Sequence, residues 1–310
     1  MITALPVMGL GLRQSFTALV SLPQGIGQSI RLLRRHRADL VVGIGGYTSP
    51  PVLLAAALMR IPRVILEPNA YPGKANLMLG PLAQRVFVAF ESAASHFQAS
   101  KVRVFGVPIR RAFLESPTPT IRHTGARTLL VFGGSRGARA INVAMIDALS
   151  AMVRDSAAGR VSVIHQTGEE DYARVKAAYQ GSGIDVEVVP FLYDMPTAFR
   201  AADLVVSRAG AMTLAELTAC GKPAVLIPFP HAIYDHQARN AEVLESAGAA
   251  VVIPQRELNG PKLTSVVGGL LREPGRLQSM AERSRSLGKT NAAEAIVREC
   301  LTVIRREAGV

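Results

Sequence analysis

Thr128-Leu129-Leu130-Val131-Phe132-Gly133-Gly134-Ser135-Arg136-Gly137-Ala138 reads as a buried strand, a glycine turn and the start of a helix. The run from Thr128 to Phe132 is continuously apolar after its first residue, as a strand covered on both faces requires. Glycines let the backbone approach a phosphate closely, and the following helix start offers free N–H groups and the positive end of its dipole. Ser135 adds a hydroxyl donor. Taken alone, two glycines after a strand are common to many α/β turns. The spacing is not Gly-x-Gly-x-x-Gly, and the next strand ends in His165-Gln166-Thr167-Gly168 rather than in an acidic residue, which disfavours a nicotinamide cofactor.

The same alternation extends in both directions. Downstream, strand-like runs at Val161–His165, Val186–Val189, Leu204–Ser207, Ala224–Pro228 and Ala250–Ile253 are separated by helical patterns at Asn142–Val153, Tyr172–Tyr179, Thr213–Cys220 and Gln237–Ser246. Upstream, Leu40–Val42, Val64–Leu66, Val86–Ala89 and Val102–Val104 form a shorter series. Strands that alternate with helices specify parallel sheets with crossover helices. Between the two series, Glu115-Ser116-Pro117-Thr118-Pro119-Thr120 lacks periodicity and reads as a linker. The first series opens on a loop-like apolar stretch instead of a strand and phosphate-binding turn, and Ala292–Arg306 closes the chain as an amphipathic helix.

Bulk properties narrow the partners. A chain of 310 residues fits two domains, and an apolar content of 49% excludes a disordered one. Two cysteines, Cys220 and Cys300, in unrelated contexts argue against a disulfide framework or a cysteine metal site. The net charge of +12 favours an anionic partner. Nucleic acid is disfavoured, since tryptophan is absent and no recognition motif occurs. Basic residues concentrate at Arg31, Arg34, Arg35, His36 and Arg37, which suits either a solvated helix face or an anionic membrane surface. Leu40–Met59 carries no charge, yet Gly43, Gly45, Gly46, Pro50 and Pro51 punctuate it into strand, loop and proline-started helix, not a membrane span.

Two further turns carry chemistry. Leu204–Ser207 runs through Arg208-Ala209-Gly210 into a helix at Ala211-Met212-Thr213, with Glu216 one turn in and Gly221 at its end. Two helix N-termini in one domain could converge on a diphosphate and leave Glu216 to accept from ribose hydroxyls; the plainer reading is dipole complementation worth ~0.3–1 kcal/mol. Pro228-Phe229-Pro230-His231 runs into Asp235-His236-Gln237, where Asp235 is expected to N-cap a helix whose first turn presents His236 and Gln237.

In order and spacing these elements resemble the MurG family of glycosyltransferases. The resemblance rests on Val42-Gly43-Ile44-Gly45-Gly46-Tyr47, Glu67-Pro68-Asn69-Ala70, the glycine turn at Gly133–Ala138, and Phe191-Leu192-Tyr193-Asp194-Met195. Ser207–Thr213 with Glu216, and Asp235-His236-Gln237 with Asn240-Ala241, complete it. It implies two Rossmann-like, doubly wound α/β domains facing across a cleft, the GT-B architecture. The expected division is 1–112 for the acceptor side, completed by a C-terminal helix over 292–310, a linker over 113–126, and a donor domain over 127–291. The implied reaction moves N-acetylglucosamine from its UDP ester to a lipid-linked muramyl-peptide, without a cofactor, at the cytoplasmic face of the plasma membrane. By resemblance Leu192 and Met195 meet uracil and Glu216 the ribose, while Ser135, Arg110, Ala211, Met212 and Thr213 meet the diphosphate. Asn69, His236 and Gln237 would reach the sugar, and Gly45, Gly46 and Tyr47 would lie on the acceptor side. Glu67 is the candidate base by position.

The departures are specific. The family's histidine-glutamate-glutamine-asparagine reads Leu66-Glu67-Pro68-Asn69, its glycine-asparagine-proline reads Gly106-Val107-Pro108, and Arg136 replaces a glutamine. The family's opening strand and glycine loop have no counterpart, so the first domain is expected to be incomplete. No Asp-x-Asp loop offers a metal, so fixed dipoles are expected to stabilise the leaving diphosphate. The alternatives are a related UDP-sugar:lipid transferase, a UDP-sugar epimerase, and a non-catalytic UDP-sugar-binding remnant.

Overall fold

A computed structural model describes residues 12–115, 126–154 and 160–308. The chain divides into two compact units, Met1–Pro108 with Asn291–Val310, and Ile109–Thr290. The expected absence of an opening strand and glycine loop concerns the region ahead of Leu12, which lies outside the described residues.

The first unit begins with α1 (Leu12–Arg35), a helix where a loop was expected. It runs through Pro23, although an interior proline costs a helix ~3 kcal/mol. Packing outweighs that cost: α1 lies along α2 (Ser49–Leu58), and Leu33 joins the core beneath it. Arg34 and Arg35 complement the dipole in the last turn, and Arg37 at φ 47° stops the helix in the left-handed conformation more usual for glycine. β1 (Val41–Gly43) precedes α2, which starts on Pro50 and Pro51 as the sequence indicates. There follow β2 (Arg63–Glu67), α3 (Lys74–Leu79), β3 (Arg85–Val88), α4 (Glu91–Ala94) and β4 (Val102–Val104).

These four strands form a parallel sheet in the order β1-β2-β3-β4, with Val42 opposite Val64 and Ile65 opposite Val86. Successive strand residues face opposite sides. Ile65, Val86 and Val88 therefore pack with Leu53 and Leu79 on one face, while Val64 and Phe87 pack on the other.

The second unit contains β5 (Ala126–Phe132), α5 (Arg139–Arg154), β6 (Arg160–Gln166), α6 (Tyr172–Tyr179), β7 (Asp185–Val189), α7 (Met195–Ala201) and β8 (Leu204–Ser207). It continues with α8 (Ala211–Cys220), β9 (Ala224–Leu226), α9 (His236–Ser246), β10 (Ala250–Val252), α10 (Gly260–Arg272) and α11 (Pro274–Leu287). Its parallel sheet runs β10-β9-β8-β5-β6-β7. Strand order reverses between β5 and β8, which makes a topological switch point where ligands bind in open α/β sheets. Leu129, Val131, Ile141, Met145 and Val206 lie in its main core.

α12 (Ala292–Ala308) belongs to the first unit, where Ile296, Cys300 and Val303 cover the face carrying Val64 and Phe87. An Arg85–Glu299 ion pair ties it to the start of β3. The unit boundary falls after Pro108, ahead of the expected 112. Phe113, expected at the start of the linker, is buried with its ring edge-on to Phe199 at 5.3 Å, so it is an anchored residue of the second unit. The rest of the expected linker falls mainly on 116–125, outside the described residues.

Candidate functional site

In the second unit three turns emerge at the C-terminal ends of neighbouring strands. Ser207 of β8 stands opposite both Phe132 of β5 and Leu226 of β9, which places the turns after these strands side by side.

The first is the glycine turn. Gly134 has φ 95° and Gly137 φ 76°, conformations that an L side chain rarely adopts, and Gly137 N–H donates to the Gly134 carbonyl at 2.8 Å. A Cβ at Gly137 would overlap the Thr167 carbonyl, and one at Gly168 would overlap the Arg136 carbonyl. The two backbones therefore touch. Ser135 and Arg136 are exposed on the outer side of the turn.

The second turn opens α8. Its N-cap is Gly210, which has no side chain to satisfy the first-turn N–H groups of Ala211, Met212 and Thr213, and no acidic residue occurs in that turn. Glu216 follows on α8, its side chain 13% exposed, with Arg110 Nη2 3.9 Å from its Oε1. Burial pushes the Glu216 carboxyl up to about 7, and Arg110 opposes that rise. The Arg110 guanidinium also lies over the Phe113 ring at 5.0 Å.

The third turn leads to α9. Arg208 Nη1 donates to the Ile227 and Pro228 carbonyls at 3.1 and 3.2 Å, and its Nη2 donates to Gln255 Oε1 at 2.6 Å. Burial pushes this guanidinium down to about 10. Gln237 Oε1 accepts from the Phe229 N–H at 2.9 Å, which leaves its Nε2 as the end that can serve a ligand. Asn240 Nδ2 donates to Ala209 O at 3.3 Å and joins this turn to the second. One expectation is corrected: Asp235 does not cap α9 with its side chain. Tyr234 and Asp235 both take left-handed backbone, φ 57° and 52°, whereas a capping carboxylate requires an extended backbone.

Leu192 and Met195 are half-buried where β7 passes into α7, and Tyr193 is exposed with its ring 4.9 Å from that of Phe191. Asp194 accepts from Thr197 N–H at 3.1 Å and caps α7, and hydrogen bonding from the Thr197 hydroxyl, then from its N–H, holds the carboxyl below its ordinary range.

The first unit has its own cluster at the strand ends. Gly45 and Gly46 turn at φ 84° and 74°, the Ser49 hydroxyl donates to Gly45 O at 2.6 Å, and Tyr47 is exposed. Glu67, the candidate base by position, is engaged within the fold. Its carboxylate is 1% exposed and already accepts four bonds: Oε1 from Asn69 N and Nδ2 at 3.0 and 3.1 Å, Oε2 from Gly73 N and Asn76 Nδ2 at 2.9 and 2.8 Å. A carboxylate so filled orders the 68–76 loop. Asn76 went unnoticed in the sequence because nothing local marks it; it lies buried beneath Gly45, and its Oδ1 has no protein partner.

Among the described residues no group of three or more His, Cys, Asp or Glu side chains could hold a metal ion, and no helix is long and apolar enough to cross a membrane.

The glycosyltransferase family 28 C-terminal domain matches residues 128–297 and the corresponding N-terminal domain matches 2–88. The chain is 45% identical over 300 residues to the "UDP-N-acetylglucosamine--N-acetylmuramyl-(pentapeptide) pyrophosphoryl-undecaprenol N-acetylglucosamine transferase" of Syntrophus aciditrophicus, covering 96% of this chain and 82% of that protein. It is similar to the crystal structure of Acinetobacter baumannii MurG, with TM-score 0.79, 29% identity, and coverage of 97% and 83% of the two chains. A UDP-GlcNAc 2-epimerase from Neisseria meningitidis bound to UDP-GlcNAc superposes with TM-score 0.63 at 17% identity over 94% and 82% of the chains, a likeness of fold alone.

Proposed function

The chain belongs to glycosyltransferase family 28, and within it to the MurG transferases, and from that premise we propose that it moves N-acetylglucosamine from UDP-N-acetylglucosamine to a lipid-linked N-acetylmuramyl-peptide. The observation that carries this reading is the convergence at the switch point of the second unit: two helix starts, Ser135, and the Arg110–Glu216 pair. Arg110, Ser135 and the N–H groups of Ala211, Met212 and Thr213 hold the diphosphate, Glu216 accepts from the ribose, and Leu192 and Met195 border the uracil. His236 and the Nε2 end of Gln237 face the sugar. An epimerase shares the fold, but close sequence relationship favours the transferase.

The acceptor hydroxyl attacks the anomeric carbon, the bond from that carbon to the UDP oxygen breaks, and UDP leaves with the electron pair. The hydroxyl proton passes to a base. Glu67 holds Asn69, Gly73 and Asn76 in place within the first unit, a positioning role that its four hydrogen bonds favour over that of the base. Gly45, Gly46 and Tyr47 line the acceptor side in the first unit. Arg31, Arg34, Arg35, His36 and Arg37, all exposed at the end of α1, suit an anionic lipid surface at the cytoplasmic face, at ~1 kcal/mol per basic residue.

Calorimetry with UDP and GDP tests the donor assignment. UDP is expected to bind at least tenfold more tightly, and equal affinities would overturn it. Charge on the leaving diphosphate is met here by Arg110 and helix N-termini, so transfer is expected to continue in EDTA. Loss of turnover on chelation, restored by magnesium or manganese, would contradict this.

A further inference from the structure

Behind the glycine turn lies a polar chain that the donor assignments leave unused. His165 and Asn142 are buried, at 0% and 1% exposure, on β6 and in the first turn of α5. Asn142 Nδ2 donates to the Thr167 carbonyl and to Asp171 Oδ2, both at 2.9 Å. Both amide hydrogens are thereby used, and Oδ1 must accept. His165 Nε2 lies 3.0 Å from that Oδ1, so it carries the ring proton. His165 Nδ1 is then the acceptor for the Tyr179 hydroxyl at 2.8 Å. Every donor in the chain has one direction. Burial pushes the imidazole down to about 3 and the Tyr179 hydroxyl up, so this polarity holds throughout the neutral range.

The chain ends on the Thr167 carbonyl, the atom against which Gly137 packs without room for a Cβ. Gly168 packs reciprocally on the Arg136 carbonyl. The position of the glycine turn thus follows that of Thr167, which Asn142 holds through its carbonyl and Val189 O holds through its N–H. The uracil-side segment touches the same strand end, through Thr167 N–H to Val189 O at 3.0 Å and Gly168 N–H to Pro190 O at 3.1 Å. It has further anchors that do not involve Asn142: β6 pairs with β7 up to Gln166 and Val189, and Gln166 Nε2 donates to Pro190 O at 3.1 Å.

We propose that His165, acting through Asn142, is a positioning residue that holds the Gly134–Gly137 turn in the shape a diphosphate requires. The proposal rests on the reading of the second unit as the donor site. It predicts an effect on phosphate recognition and none on nucleoside recognition, which general loosening of the fold would not produce.

The test compares UDP with uridine by calorimetry or amide titration. His165→Phe keeps a ring and removes both hydrogen bonds, leaving Asn142 Oδ1 and the Tyr179 hydroxyl buried without partners. It is expected to weaken UDP about tenfold or more while uridine stays within about twofold. His165→Gln supplies one donor and one acceptor and is expected to recover most of the loss. If His165→Phe fails to fold, Tyr179→Phe removes only the hydroxyl and is expected to weaken UDP about threefold with uridine unchanged. A folded variant that binds UDP like the parent, or that loses UDP and uridine in equal proportion, overturns the proposal. Nitrogen NMR of the imidazole is expected to show a neutral ring protonated at Nε2; protonation at Nδ1 overturns the assigned polarity. Failure of the unaltered chain to prefer UDP over uridine overturns the donor-site reading itself, and is told apart because no substitution is involved.

Discussion

Gly137→Ala is expected to cost the second unit ~3 kcal/mol or more and to abolish measurable UDP binding, because two penalties fall on one residue. A left-handed backbone at φ 76° costs a non-glycine residue ~1–2 kcal/mol. The added methyl would also overlap the Thr167 carbonyl, so the backbones must part, and forcing extra volume into a packed site costs ~1–3 kcal/mol. Gly134→Ala is the internal control: φ is positive there too, at 95°, but a Cβ at that position meets nothing. Urea unfolding should therefore show Gly137→Ala losing distinctly more than Gly134→Ala, and calorimetry should show UDP lost from the former first. Equal losses would mean that crowding against Thr167 contributes nothing.

Glu216→Gln is expected to weaken UDP-N-acetylglucosamine ten- to a hundredfold at pH 8, the range for losing charge-assisted hydrogen bonds worth ~1.5–3 kcal/mol. The pH dependence separates this from a structural role. With its carboxyl at about 7, Glu216 is partly protonated near neutrality and becomes a full acceptor for ribose hydroxyls only above that value. Affinity is therefore expected to rise as pH passes upward through about 7 in the parent and to stay flat in Glu216→Gln. The ligand does not confuse the profile, since a diphosphate esterified at both ends has no terminal phosphate proton to titrate there.

Stability moves in the opposite sense. The unfolded chain releases this proton near the ordinary value of 4.5, and the folded unit holds it to about 7. The folded state then binds more protons across that interval, and the parent loses stability as pH rises through it. At pH 8, Glu216→Gln should accordingly be no less stable than the parent although it binds more weakly. A variant that is less stable and binds normally would make Glu216 a structural residue.

Local signals in the chain were sufficient for the architecture. Ten strand-like runs correspond to β1–β10, because a strand buried between helices must be a short apolar run and a parallel neighbour must be reached through a helix. The helix starts at Pro50 and Ala211 were legible for the same reason, since proline and glycine act on their own residue's backbone. Where the reading failed, a distant partner had overruled the local signal. The opening apolar stretch read as a loop, yet packing along α2 keeps α1 helical even through Pro23. Asp235 had the right side chain for a cap, but a tight entry turn gave it the wrong backbone. The hydrogen bonds that Glu67 accepts from Asn69, Gly73 and Asn76 were likewise visible only in the fold.

The sequence alone thus determined the two α/β units, the glycine turns and the acidic residue on α8, since each depends on residues within one strand, turn or helix. Only tertiary structure decided which of the polar side chains remain available. Gln237 is turned by the Phe229 N–H so that its Nε2 is left over, Arg208 is consumed by the Ile227 and Pro228 carbonyls, and His165 reaches Asn142 across 23 residues to brace a turn it never joins. A buried donor or acceptor must find a partner wherever the fold supplies one, and that choice is made in space, not along the chain.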